Sequence, residues 1–269
     1  MTIIAGFQCT DGILMCSDTE QSLSADSKSQ VNKVPHFQLG KLTTAIGGSG
    51  DGPLIDYVTQ DLVRHLAKES YDWKTIEAGL NSYAQETFSK HIRPYAGLPR
   101  DFIPDVSFLI AIVMEGQARL FKWERNFAYV VPLMRHMSIG IGVLQSEQLL
   151  SEIQFYYPYR RMLFFAVRMM QQVKQLVQGC GGKTEAVFLA TNGELVIQPG
   201  IFVIDEIEHI TLMVDEFFTN HALSFIANTS SLDKKSVDDE LDMLRQGIGN
   251  LREKYRECTP VCLSKKTEP

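Results

Sequence analysis

The chain has 269 residues, 45% of them hydrophobic and 22% charged, which excludes a disordered polar chain and leaves one large layered domain as the preferred reading over two small ones. A formal net charge of -6, with basic residues in no cluster longer than a pair, argues against a nucleic-acid partner. Five cysteines (Cys9, Cys16, Cys180, Cys258 and Cys262) are odd in number and lack metal-ligand spacing, so they read as reduced thiols of a cytoplasmic protein with no metal and no cofactor.

The first residues show no cationic segment followed by an apolar signal core. The apolar stretch "MLFFAV" is too short to span a bilayer and is flanked by Arg160, Arg161 and Arg168, so no membrane anchor is expected.

Residues 2 to 9 and 13 to 18 are β-rich runs separated by "TDG", a hairpin in which Gly12 is expected to take the left-handed position. Two further strands are expected across "NKVPHFQLGKLTTAIGG". The period then changes. From Asp51, an N-cap, Leu54, Val58, Leu62 and Leu66 recur every four residues behind an early Pro53, and this spacing predicts a helix. A second helix is predicted from Asp72, with Ile76, Leu80, Tyr83, Ala84 and Phe88 inward.

Strands return at "VSFLIAIVM", "ARLFKW" and "FAYVV", the first apolar enough to need cover on both faces. Two helices follow, the longer from about Pro158 to Val177, burying Met162, Ala166, Met169, Met170, Val173 and Leu176. "EAVFLATNGELVI" reads as a hairpin around Asn192-Gly193. After the polar break "NTSSLDKKS", Val237, Leu241, Leu244, Ile248, Leu251 and Tyr255 form an apolar seam on a charged helix that Gly247 and Gly249 weaken. That seam fits packing on its own domain and contact with another subunit equally well.

Two glycine clusters invite a chemical reading. "GCGGKT" at 179 to 184 has Val177 where a phosphate-binding loop needs glycine, and a helix before it instead of a strand, so a nucleotide site is rejected. Lys183 there reads as a solvated or site-rim cation. "IGGSGDG" at 46 to 52 ends a strand and opens a helix, where glycine lets a ligand approach the backbone. The six histidines show no metal spacing, and no Gly-x-Ser-x-Gly elbow is present.

Taken together, "TIIAGFQCTDGILMCSDTEQS", "NKV" and "LTTAIGGSGD" resemble the start of a proteasome-type β subunit of the N-terminal nucleophile hydrolase superfamily, with one deletion between Asp18 and Lys33. "IGIG" and "GGKTEAVFLATNGE" extend the resemblance to about residue 205. It implies an α+β fold, a four-layer αββα sandwich, which the alternation of strands and helices also satisfies; the domain is read over residues 1 to 215, and the seam-bearing segment as a C-terminal helical extension and tail over 216 to 269. It also implies a threonine-type peptidase or amidohydrolase acting through an acyl-enzyme on Thr2 after removal of Met1. A free α-amine, with a pKa of about 7.7 to 8.0, can serve its own hydroxyl as general base.

By the same resemblance Lys33 stands beside Thr2, Asp18 holds Lys33, and the Gly47 N–H is the oxyanion donor. Ser22 and Ser49 would line the substrate channel, and Val31 and Ala45 would shape the specificity pocket. The implied partners are a peptide or protein substrate, further copies of the chain in a ring or other homo-oligomer, and an ATP-dependent unfoldase whose involvement stays open. Ile141, Val177, Cys180 and Glu20 depart from the family's supporting polar residues, so a catalytically silent assembly subunit is the alternative. Strand alternation adds a geometric expectation: only a three-residue loop, Thr10-Asp11-Gly12, pairs Asp18 with Ile4 and so turns it to the face of Thr2. A two-residue turn with no bulge counts against the site.

Overall fold

The computed structural model describes residues 2–22, 28–68, 72–99, 102–124, 129–133, 135–151, 153, 155–191, 196–227 and 234–257. The fold is α+β, with three antiparallel sheets and six α-helices among these residues. The chain divides into two compact units, one of residues 1–198 with 260–269, the other Pro199–Thr259. The sequence boundary at 215 and 216 falls inside one continuous helix, Ile201–Ala227.

In the first unit, β1 (Ile3–Cys9), β2 (Gly12–Asp18), β10 (His136–Gly140), β11 (Thr184–Ala190) and β12 (Val196–Ile197) form a sheet in the order β10-β1-β2-β11-β12. A second sheet orders β5 (His36–Leu39), β6 (Leu42–Gly50), β7 (Val106–Met114), β8 (Gln117–Glu124) and β9 (Val131–Leu133) consecutively. β3 (Glu20–Ser22) and β4 (Lys28–Gln30) pair separately. Neither this small hairpin nor β10 is anticipated by the sequence. The Asn192-Gly193 turn lies outside the described residues, as do residues 127 and 128 of "FAYVV".

The two large sheets share a core. Ile4, Ile13 and Met15 meet Ala45, Leu109, Ala111 and Val113, all buried. On the other face of the second sheet, Ile46, Phe108, Ile110 and Ile112 pack against α1 (Gly52–Leu66) and α2 (Trp73–Thr87) through Val58, Leu62, Ile76 and Leu80. β7 is therefore covered on both sides, as its uniform apolarity requires. Both helices begin where expected: the Asp51 carboxylate accepts from Leu54 N–H at 3.0 Å and Asp72 from Thr75 N–H at 3.0 Å. The second continues as a π-helical turn, Phe88–Ile92. After α3 (Val143–Leu150), α4 (Tyr159–Leu176) lies along β1 and β2 and buries Met162, Ala166, Met169, Met170 and Val173. Leu176, expected inside, is 72% exposed because it closes the last turn.

The first hairpin differs from its expected form. Its register pairs Cys9 with Gly12 and Ile4 with Ser17, so the loop is the two residues Thr10-Asp11 and Asp18 follows Ile3's alternation, not Ile4's. Gly12 does not adopt a positive φ. It is demanded by crowding: a Cβ there would lie 2.1 Å from the Leu189 carbonyl oxygen and 2.6 Å from the Phe188 ring.

The second unit is a pair of helices, α5 (Ile201–Ala227) and α6 (Lys234–Glu257). The first is absent from the sequence reading although Val203, Ile204, Ile207 and Ile210 are buried at helical spacing. Val237, Leu241, Leu244 and Leu251 of α6 are half-buried, but Ile248 is 42% exposed. At Gly247 an added Cβ would lie 3.4 Å from Ile210, so glycine marks the contact with α5. Among the described residues no helix is long and apolar enough to cross a membrane.

Gly12→Ala is expected to destabilise the protein by about 1–3 kcal/mol, since backbone must shift to admit the methyl. Gly97→Ala, with nothing within 4 Å of the added Cβ, is the control and leaves the urea midpoint nearly unchanged.

Candidate active site

Thr2 precedes β1 and is only 5% exposed. Its carbonyl accepts from Ile141 N–H at 3.0 Å, and a Cβ on Gly140 would stand 2.1 Å from that oxygen. With φ at +102°, Gly140 is a position only glycine fills without strain. Thus the first glycine of the "GIG" run holds the Thr2 backbone.

Asp18 is fully buried and accepts four donors. Its Oδ1 receives the Thr2 hydroxyl at 2.8 Å, the Ile3 N–H at 2.9 Å and the Lys33 ammonium at 2.8 Å. Its Oδ2 receives the Gly181 N–H at 3.2 Å. Lys33, its side chain 8% exposed, also donates to the Glu20 carbonyl at 2.5 Å. The two-residue hairpin does not part Thr2 from Asp18, because Ile4 and Ser17 are the last β1-β2 pair and both residues lie past it. There the Asp18 carboxylate takes the Ile3 N–H, and alternation no longer dictates which side chains meet.

The rejected phosphate loop has a structural task here. Gly181 supplies its N–H to Asp18 and its carbonyl to Glu20 N–H at 3.1 Å, while Lys183 N–H donates to Thr19 Oγ1 at 2.9 Å. Gly182 has φ +72°, and a Cβ on it would come 2.6 Å from Thr19 Oγ1. Sequence reasoning missed Gly181 as a partner of Asp18. The only hint was a glycine pair opening the strand β11 that lies beside β2.

Thr2 and Lys33 open onto a cavity of about 530 Å³. Val31 is among the residues that line it. On β6 the lining residues are Ile46, Gly48 and Gly50, whereas Ala45 is fully buried between the sheets and a Cβ on Gly47 would lie 2.8 Å from Ile4 in the same core. Ser49 is half-buried and its hydroxyl lies 3.1 Å from where a Gly140 Cβ would be. The sequence alignment therefore runs one residue out of phase with the strand: Ala45, Gly47 and Ser49 face the sheet-sheet core, and their neighbours face the cavity. Hydrogen bonding gives the same phase. Ile46 N–H donates to Pro35 O at 3.0 Å on the β5 side, so two residues on the Gly48 N–H aims at that edge, beyond the end of β5. Ser22 is the last residue of β3, and its side chain lies outside the described residues.

Of the departures, Ile141 is 44% exposed and Val177 caps α4. Cys180 is buried near Asp18, and burial first, then that carboxylate, push its thiol up to about 12 against a smaller opposite pull from Lys33. It is no nucleophile at neutral pH. Among the described residues no group of three or more His, Cys, Asp or Glu converges to hold a metal ion.

No family model matches the chain, and no curated protein matches it. Solved structures do. Anbu (ancestral beta-subunit) from Yersinia bercovieri aligns with a TM-score of 0.63 at 14% identity, covering 86% of this chain and all of that one. The Anbu (Gly-1) mutant from Hyphomicrobium sp. strain MC1 aligns at 0.65 and 11%, covering 87% and 100%, and the helical assembly of the Anbu complex from Pseudomonas aeruginosa at 0.62 and 10%, covering 87% and 99%. These likenesses are of fold. They correct the resemblance to a proteasome-type β subunit: the matched structures are Anbu proteins, and the motif spacings of the first fifty residues do not by themselves separate the two.

Removing one partner of a buried ion pair leaves the other uncompensated, so Asp18→Ala and Lys33→Ala should each cost about 3–5 kcal/mol in urea unfolding. The double variant should cost less than their sum. Cys16, pushed by burial to about 12, and Cys180 should resist iodoacetamide at pH 8 in the folded protein and react once it is unfolded. The sign for stability follows: an unfolded thiol titrates near 8.5, so raising pH above about 8.5 favours the unfolded chain at these two positions.

Proposed function

We propose that the protein is an N-terminal threonine amidohydrolase, a peptidase in its preferred form, built on an αββα sandwich. The observation that carries this reading is the Thr2 hydroxyl, Asp18 and Lys33 joined within 2.8 Å contacts at the wall of a cavity large enough for a peptide segment. The shared sheet-sheet core and the helices on either sheet support the sandwich.

Once Met1 is removed, the Thr2 amine takes the proton of its own Oγ as that oxygen bonds to the substrate carbonyl carbon. The Gly48 N–H, in place of Gly47, faces the cavity edge where the oxyanion develops. Collapse breaks the amide C–N bond, and the ammonium returns the proton to the leaving amine. Water, deprotonated by the same amine, then attacks the ester and frees the acid and Thr2. Lys33 favours the neutral amine and stabilises charge on Oγ, and Asp18 keeps that cation in place.

A catalytically silent assembly subunit is the second reading. Ile141 and Val177 favour it, since neither offers a side-chain donor or acceptor to a terminal amine. Assembly into a homo-oligomer is proposed on either reading, with a helical assembly seen in the Pseudomonas aeruginosa Anbu complex.

Intact-mass analysis before and after treatment with a peptide epoxyketone discriminates the two. The enzyme reading expects loss of Met1 and one adduct, absent in Thr2→Ala, whose amidase activity should fall by at least about a thousandfold. A chain that keeps Met1 and takes no adduct overturns it.

A further inference from the structure

We propose that the cavity beside Thr2 selects a substrate side chain with an apolar stem and a cationic end, lysine or arginine, and that Asp56 is the residue that selects it. This rests on the Thr2 nucleophile reading and adds a substrate class to it.

Among the described residues that line the cavity, two carry charge, Lys33 and Asp56. The Lys33 ammonium is held by Asp18 at 2.8 Å and by the Glu20 carbonyl at 2.5 Å, with its side chain 8% exposed. Its charge is balanced within the protein. Asp56 is different: it is exposed at the cavity and makes no hydrogen bond or ion pair among the described residues.

Helix periodicity puts it there. Gly52, Asp56 and Thr59 or Gln60 recur at three- and four-residue steps, so one face of α1 forms a wall of the cavity. The start of this helix offers little to an anion. Leu54 N–H is taken by the Asp51 side chain, Ile55 N–H by the Asp51 carbonyl, and Pro53 has none. The remaining walls include Val31, Phe37, Ile46 and Ile55, which suit a methylene stem. An apolar surface with one unbalanced carboxylate at its solvent side fits a long cationic side chain, fits leucine less well, and repels glutamate.

The test uses three peptide epoxyketones identical except for arginine, leucine or glutamate next to the warhead, with adduct formation followed by intact mass. Wild type is expected to react about fivefold faster with the arginine probe than with the leucine probe, the scale of an exposed ion pair, and slowest with glutamate. Asp56→Asn should bring arginine and leucine level, and Asp56→Lys should make glutamate the faster of the charged probes. Raising the salt should shrink the wild-type ratio. Equal rates for arginine and leucine in wild type, or an arginine preference that survives in Asp56→Asn, overturn the assignment of Asp56 while leaving the nucleophile standing. Failure of all three probes on protein that has lost Met1 overturns the nucleophile and the side-chain preference together.

Discussion

The Asp18 carboxylate is the constraint around which the candidate site is organised. A fully buried anion needs several donors, and it has them from three parts of the chain: the Thr2 hydroxyl and Ile3 backbone, the Lys33 ammonium, and the Gly181 backbone. Each part ties a different element to the end of β2. The start of β1, the segment before β5 and the loop before β11 therefore meet at one point. Loss of the carboxylate would leave a nearly buried ammonium unpaired and free the start of the chain.

Around that point the backbone is crowded more tightly than side chains allow. Gly140 lies against the Thr2 carbonyl and Gly182 against Thr19, both at positive φ. These contacts hold Thr2 and the end of β2 in place. A preformed arrangement of this kind suits the proposed chemistry, in which hydroxyl, cation and oxyanion donor need to stand in fixed positions.

The cavity has a division of labour along its walls. The β6 wall presents backbone through Gly48 and Gly50, the α1 wall presents side chains, and Lys33, held by Asp18, lines the cavity beside Thr2. Backbone donors are indifferent to substrate sequence, whereas α1 can distinguish one side chain from another. The proposed reaction and its proposed selectivity thus reside on different elements. The α5-α6 pair forms a separate compact unit, and its packing through Gly247 and Ile210 is its own.

Short-range information was enough for much of this. The apolar periods of α1, α2 and α4, the Asp51 and Asp72 caps and the doubly covered β7 follow from local patterns, which any fold of these segments must satisfy. The grouping of Thr2, Asp18 and Lys33 was legible through the order of short motifs. Strand phase was not. A one-residue slip exchanges the two faces of β6, and only packing against Ile4 and Met15 on one side and α1 on the other decides that Ile46, Gly48 and Gly50 face the cavity. The same holds for the first hairpin, where Gly12 packs against Leu189 across the sheet, and for Gly181, brought to Asp18 by the pairing of β2 with β11. Local sequence determined most of the helices and strands and the side chains offered to the candidate site; their register and their mutual contacts are long-range, and the tertiary structure alone decided them.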